Sequence, residues 1–124
     1  MMLEPLQTVM IFKKNCEPNT VSAGEVIFKQ GEPGHLMYGI IEGEVQFIID
    51  GKQAETLKAG DVFGEGAIVN PDHTRRSTAT AKTDCVLAIL DKERFMFAVQ
   101  QTPMFALEVM RSYSDRVNAL RHLI

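Results

Sequence analysis

The sequence is short of cysteine, of basic charge and of long apolar runs, and each shortage excludes a class of protein. Only two cysteines occur in 124 residues, Cys16 and Cys85, and neither belongs to a C-x-x-C pair. A disulfide framework, a thiolate zinc site and an iron–sulfur cluster therefore have no basis. Both cysteines read as small hydrophobes in a reducing compartment. Thirteen Lys and Arg stand against sixteen Asp and Glu, a formal net charge of −3, so no basic surplus exists to neutralise a phosphate backbone and no direct nucleic-acid partner is expected. Met1 to Met10 lacks a basic start and is interrupted by Glu4 and Pro5, unlike a signal peptide. Apolar runs such as Cys85 to Leu90 are far too short to span a bilayer. The expectation is a cytoplasmic protein with no membrane partner. His35, His73 and His122 are isolated and form no H-x-H, so no metal site is expected and a cupin-like metalloenzyme lacks its ligand cluster.

What is present is enough apolar residue, 45% of the chain, for one core, so residues 1–124 read as a single domain. All nine glycines lie between Gly24 and Gly66. In that half, short runs of β-branched and aromatic residues alternate with turn chemistry, and Glu25 to Lys29, Leu36 to Ile41, Glu44 to Asp50, Lys52 to Leu57, Arg75 to Ala81 and Asp84 to Leu90 read as strands. Asp50-Gly51 between two of them is a hairpin signal, because both central residues of a type I′ turn need positive φ. In Glu44 to Asp50 the odd positions are apolar, which puts Val45, Phe47 and Ile49 on an inward face. Strands this short and regularly punctuated suggest an antiparallel barrel or jelly roll, since a parallel sheet would need helical crossovers. The roll is expected over about 16–90.

Helices are expected over about 91–124, with a further short one near Pro5 to Phe12. Asp91 is a candidate N-cap; Thr102-Pro103 restarts a helix, with Pro at the position where its missing N–H costs nothing. Along the last helix Ala106, Met110, Tyr113, Val117, Leu120 and Ile124 share one face, and Phe105, Val109 and Leu123 an adjacent one. Either both faces pack on the domain itself, or one meets a second copy of the helix in a homodimer.

The densest stretch chemically is Gly60 to Val69 followed by Arg75-Arg76-Ser77. Gly64, Glu65, Gly66 and Ala67 open a short helical turn whose free N–H groups suit an anion, and glycine lets a ligand approach the backbone. A nearby guanidinium would complete a phosphate clamp. By parity Arg75, Ser77, Ala79 and Ala81 face in, and Arg76, Thr78 and Thr80 face out. An inward arginine needs an anionic partner: a bound phosphate, or Glu65 in a structural ion pair. A register slip of one residue would promote Arg76 instead.

Gly24 to Gly34, then Met37-Tyr38 to Gly43, then Gly60 to Glu65, then Arg75 to Ala81 resemble, in order, the landmarks of the cyclic-nucleotide-binding domain family, the type found in catabolite activator proteins and protein kinase A regulatory subunits. The resemblance implies an antiparallel eight-stranded β-roll flanked by helices, with a phosphate-binding cassette at Phe63 to Ala81. It implies that Glu65 binds the ribose 2′-OH and Arg75 the cyclic phosphate, that the backbone of Gly64, Gly66 and Ala67 adds N–H donors, and that Ser77 sits beside the phosphate. Phe28, Phe47 and Leu57 match base-pocket positions, or belong to the plain core. Arg116 and Arg121 fall on the covering helix, the first to pair with Glu65 and the second to cap the base, or both on a solvated face. Gly66 stands where the family has a bulkier apolar residue. Arg76 stands where a hydroxyl residue marks cGMP selectivity, which favours cAMP.

The expected function is thus a non-enzymatic regulatory module that binds cAMP, or alternatively cGMP, as ligand with no cofactor. Its terminal helix would respond to the ligand and signal to a second copy or to an unidentified effector protein. The alternatives are a ligand-free copy of the domain used for dimerisation or docking, and the cupin-like enzyme.

Overall fold

The computed structural model describes residues 19–121. The expected helix at Pro5 to Phe12, together with Cys16, His122, Leu123 and Ile124, lies outside the described residues. Eight strands precede or enclose the helices: β1 (Asn19–Val21), β2 (Val26–Phe28), β3 (Leu36–Glu42), β4 (Glu44–Ile49), β5 (Lys52–Lys58), β6 (Val62–Phe63), β7 (Thr78–Ala81) and β8 (Cys85–Asp91). A one-turn helix α1 (Gly66–Val69) follows β6, and α2 (Lys92–Gln101) and α3 (Met104–Arg121) follow β8. The strands form two four-stranded sheets, in the orders β1-β8-β3-β6 and β2-β7-β4-β5, and every pairing is antiparallel. This is the β-roll with C-terminal helices.

The sequence patterns of the two sheets differ because their surroundings differ. The first sheet is covered on both faces. Tyr38, Ile40, Phe63 and Leu87 point between the sheets with Val45, Phe47 and Ala79, while Met37, Val62, Ala88 and Leu90 point the other way against Ala98, Phe105 and Val109 of the helices. A strand buried on both faces reads as a continuous apolar run, which is why Cys85 to Leu90 has no polar alternation. The second sheet has one wet face, so β4 and β7 alternate.

The Asp50-Gly51 hairpin has positive φ at both residues, 52° and 79°. Val45 and Phe47 are buried as expected, but Ile49 is 41% exposed, because a register shift between Phe47 and Ile48 breaks the alternation. The strand expected from Arg75 begins only at Thr78. Upstream, the Arg75 backbone bonds the 31–34 loop instead: its N–H donates to the Glu32 carbonyl (2.8 Å) and its carbonyl accepts from Gly31 N–H (2.8 Å). Strands β1 and β6, of three and two residues, are too short for a periodicity to register in the sequence.

Asp91 caps α2 by accepting from Arg94 N–H at 2.8 Å. Thr102 closes α2, its N–H donating to the Ala98 carbonyl at 2.8 Å, and α3 opens with Phe105 N–H on the Thr102 carbonyl at 2.9 Å. Phe105 and Val109 are the face that α3 buries on the domain, whereas Met110 (65%) and Val117 (41%) remain exposed. Among the described residues no helix is long and apolar enough to cross a membrane.

Candidate functional site

A cavity of about 270 Å³ opens between the second sheet, α1 and α3. Phe28 and Phe47 line it from the strands, Gly64, Gly66 and Ala67 from the α1 turn, Arg75, Arg76 and Ser77 from the segment before β7, and Tyr113 and Arg116 from α3. Sequence segments far apart thus meet around one space. Leu57 does not reach it; it packs in the core between the sheets. Arg121 does not line it either and is exposed at the end of α3.

Arg75 is 6% exposed. Its Nη1 donates to the Gly64 carbonyl (3.1 Å) and its Nη2 to the Leu36 carbonyl (2.8 Å), while Nε has no partner among the described residues. The guanidinium carbon sits 4.0 Å over the centre of the Phe28 ring, a cation–π placement. No carboxylate pairs with it among the described residues. Burial lowers its pKa from the usual arginine value, opposed by Tyr38, Glu32 and Glu65. A guanidinium keeps its charge regardless, so the cavity wall carries a cation whose protein partners are neutral carbonyls.

Two glycines make room for that cation. Gly64 has φ +83°, and a Cβ there would lie 3.0 Å from Arg75 Nη1 and 3.2 Å from the Leu36 carbonyl. At Gly34 a Cβ would run into the guanidinium itself. Gly34 reads in the sequence only as turn punctuation. Gly66, by contrast, is crowded only by Asn70 Nδ2 at 3.3 Å; its N–H, as the first of α1, has no intrahelical acceptor. The Ala67 N–H is already committed to the Gly64 carbonyl at 3.2 Å.

Arg76 contributes to the cavity lining but turns its guanidinium to Asp72, at 3.1 Å, with both side chains more than half exposed. Glu65 is 2% exposed and lies behind the cavity wall. Its Oε1 accepts from Arg116 Nη1 at 3.2 Å, and its Oε2 has no hydrogen-bond partner among the described residues. The ion pair of Glu65 is therefore with Arg116, not with Arg75. Burial pushes the Glu65 carboxyl up from its ordinary pKa, with Arg116 pulling it partly back. Arg116 also donates from Nε to Glu55 Oε1 at 2.6 Å. Burial works against this cation, but Glu65 and Glu55 outweigh it and hold its pKa above the ordinary arginine value. Burial, then the Glu65 carboxylate, push the Tyr113 hydroxyl up.

Glu55 and Tyr113 are the residues that sequence reasoning missed at this site. Glu55 sits in a run, Lys52 to Lys58, that looks like a solvated edge, and Tyr113 looks like a core position of an amphipathic helix. Their convergence is a tertiary fact.

A family model described as the cyclic nucleotide-binding domain matches residues 18–102. A cAMP-dependent protein kinase regulatory subunit of Eremothecium gossypii is 39% identical over 79 residues, 64% of this chain and 17% of that protein. The cGMP-dependent protein kinase egl-4 of Caenorhabditis elegans is 31% identical over 101 residues, 82% of this chain and 13% of its own length. The chain thus spans less than a fifth of these two relatives. Among solved structures, one described under a cyclic-GMP-dependent signalling pathway of bacterial phytopathogenesis superposes with a TM-score of 0.79 at 28% identity, covering 95% of each chain.

Proposed function

This chain belongs to the cyclic nucleotide-binding domain family, a regulatory ligand-binding family, and from that premise we propose that its ligand is cAMP and that helix α3 responds to it. The observation that carries the reading is Arg75: a buried cation on the cavity wall that, among the described residues, makes no direct ion pair with a carboxylate. A charge left without a counter-ion in a low-dielectric site is costly. A cyclic phosphate supplies the missing negative charge and accepts from the guanidinium. Ser77 and the Gly66 N–H stand on the same wall as further donors, and Phe28 and Phe47 offer apolar surface to the nucleoside.

The response of α3 follows from Glu65. Its uncommitted Oε2 suits a ribose hydroxyl donor, but the carboxyl is covered by Arg116. A ribose at Glu65 must therefore share or displace the Arg116 contact, which also ties α3 to Glu55 on β5. Ligand and helix compete for one carboxylate, so the filled and empty cavities favour different positions of α3. Met110 and Val117, exposed on α3, favour a second copy as one reader of that movement; concentration-dependent sedimentation tests this.

Arg76 supports cAMP over cGMP, because the position directly after Arg75, where a hydroxyl residue favours cGMP in this family, carries an arginine instead. Competition of cAMP and cGMP for one fluorescent cyclic nucleotide tests the choice: cAMP is expected to displace the probe at the lower concentration. Tighter binding of cGMP overturns the choice of base.

A further inference from the structure

His35 and His73 are remote in sequence, yet the fold places their rings 4.9 Å apart, centre to centre. We propose that they form a two-imidazole site for a borderline divalent cation such as Zn²⁺, Ni²⁺ or Cu²⁺, outside the nucleotide cavity.

The backbone brings the pair together. Pro33 and Thr74 form an antiparallel bridge, and Gly34 N–H donates to the His73 carbonyl at 2.9 Å, so the two histidines flank one short ladder. Two imidazoles on a single tetrahedral ion, with metal–nitrogen distances of roughly 2.0–2.1 Å, have ring centres about 5 Å apart. The observed centre-to-centre separation is of that size. The planes are inclined at 48°, which is not a flat stack.

The hydrogen bonding of His73 is also that of a ligand. His73 Nδ1 lies 2.6 Å from the Ala67 carbonyl. A carbonyl only accepts, so Nδ1 is the donor there, which leaves Nε2 as the nitrogen that would face a metal ion. An outer hydrogen bond of this kind fixes the tautomer and ring orientation of metal-binding histidines. His73 also has φ +53°, a left-handed conformation that a non-glycine residue keeps only where its surroundings impose it. His35 is exposed and His73 half-buried, so an ion reaches them from solvent.

Among the described residues no group of three or more metal-ligating side chains occurs, and the nearby Asp72 is engaged by Arg76 and by the Thr74 N–H. Water then completes the coordination. Imidazole ligands without carboxylates select the zinc, nickel and copper group over magnesium and calcium. An ion here ties the 31–35 segment, whose Gly31 and Glu32 bond the Arg75 backbone, to the 73–75 segment that carries Arg75, although the site does not depend on what the cavity binds.

Calorimetric titration of the whole chain with ZnCl₂, and separately MgCl₂, tests the proposal on the wild type, His35→Ala and His73→Asn. Asparagine tolerates positive φ, which protects the fold of the second variant; the first alters an exposed side chain. The expected result is one Zn²⁺ bound by the wild type, no Mg²⁺, and at least about tenfold weaker Zn²⁺ binding in each variant. Absence of saturable one-to-one binding, or binding unchanged in either variant, overturns the site, the latter by placing the ion on other ligands. Folding of each variant is checked by its circular-dichroism melt. If His73→Asn fails that check, His35→Ala alone decides.

Discussion

Arg116 Nη1 lies 3.2 Å from Glu65 Oε1, and the same guanidinium holds Glu55 through Nε at 2.6 Å. One side chain of α3 is thus the electrostatic fastening of the helix to two elements of the roll. Because Glu65 is almost fully buried, removing Arg116 leaves a carboxylate with neither water nor a counter-ion.

Arg116→Ala is accordingly expected to destabilise the protein by about 3 kcal/mol, the order found when one partner of a buried pair is deleted. Urea denaturation measures this. In a Glu65→Gln background the same substitution should cost less, since no buried charge is stranded. Equal costs in both backgrounds would mean that the pair is not coupled.

The pH dependence of stability follows from the Glu65 carboxyl, whose pKa burial raises above 4.5. The native state then holds this proton more tightly than the unfolded chain does. Its contribution is fully favourable below about 4.5 and is lost as pH rises through the raised native value. The stability of wild type relative to Glu65→Gln should therefore fall as pH is raised across that window. Denaturation midpoints of the two proteins, compared at matched pH, check the sign.

Gly34→Ala and Gly31→Ala separate steric from conformational effects. Gly31 has φ +90° but nothing within 4 Å of a Cβ, whereas at Gly34 the obstacle is the Arg75 guanidinium. Gly31→Ala should lower stability by about 1 kcal/mol or more through its backbone and leave nucleotide affinity within a few-fold. Gly34→Ala should displace Arg75 and weaken cAMP binding at least about tenfold, read by calorimetry.

Phe105 is fully buried with its ring 5.5 Å from Phe95, and it anchors α3 over the outer face of the first sheet. Phe105→Ala should cost about 3–5 kcal/mol, measured by denaturant midpoint.

Much of this was legible in the sequence where a local rule governs. Asp50-Gly51 announces its hairpin because the turn type dictates the residues. Arg75 and Arg76 separate by parity into a buried and an exposed side chain, and the parity holds although Arg75 lies outside the regular strand. The family resemblance names Glu65 and Arg75, and leaves Arg116 either as the partner of Glu65 or on a solvated helix face. What escaped was non-local. That Gly34 makes room for Arg75, that Glu55 meets Arg116, and that two isolated histidines come ring to ring depends on how the 31–35 and 73–75 segments pair, and no periodicity encodes that. For Leu57 the two readings, base pocket or core, divide in favour of the core: the neighbouring Glu55 and Ala54, not Leu57, line the cavity.

Titration of cAMP into the wild type, Arg75→Ala and Arg76→Ala tests the central claim most directly, that the buried Arg75 holds the phosphate. The expected result is saturable one-to-one binding by the wild type and an affinity at least roughly 30-fold lower in Arg75→Ala, from the ~2–5 kcal/mol typical of deleting one member of a buried charge pair. Arg76→Ala, which removes an exposed side chain paired to Asp72, should stay within a few-fold of wild type. No saturable binding by the wild type, or a larger loss in Arg76→Ala than in Arg75→Ala, would contradict the account.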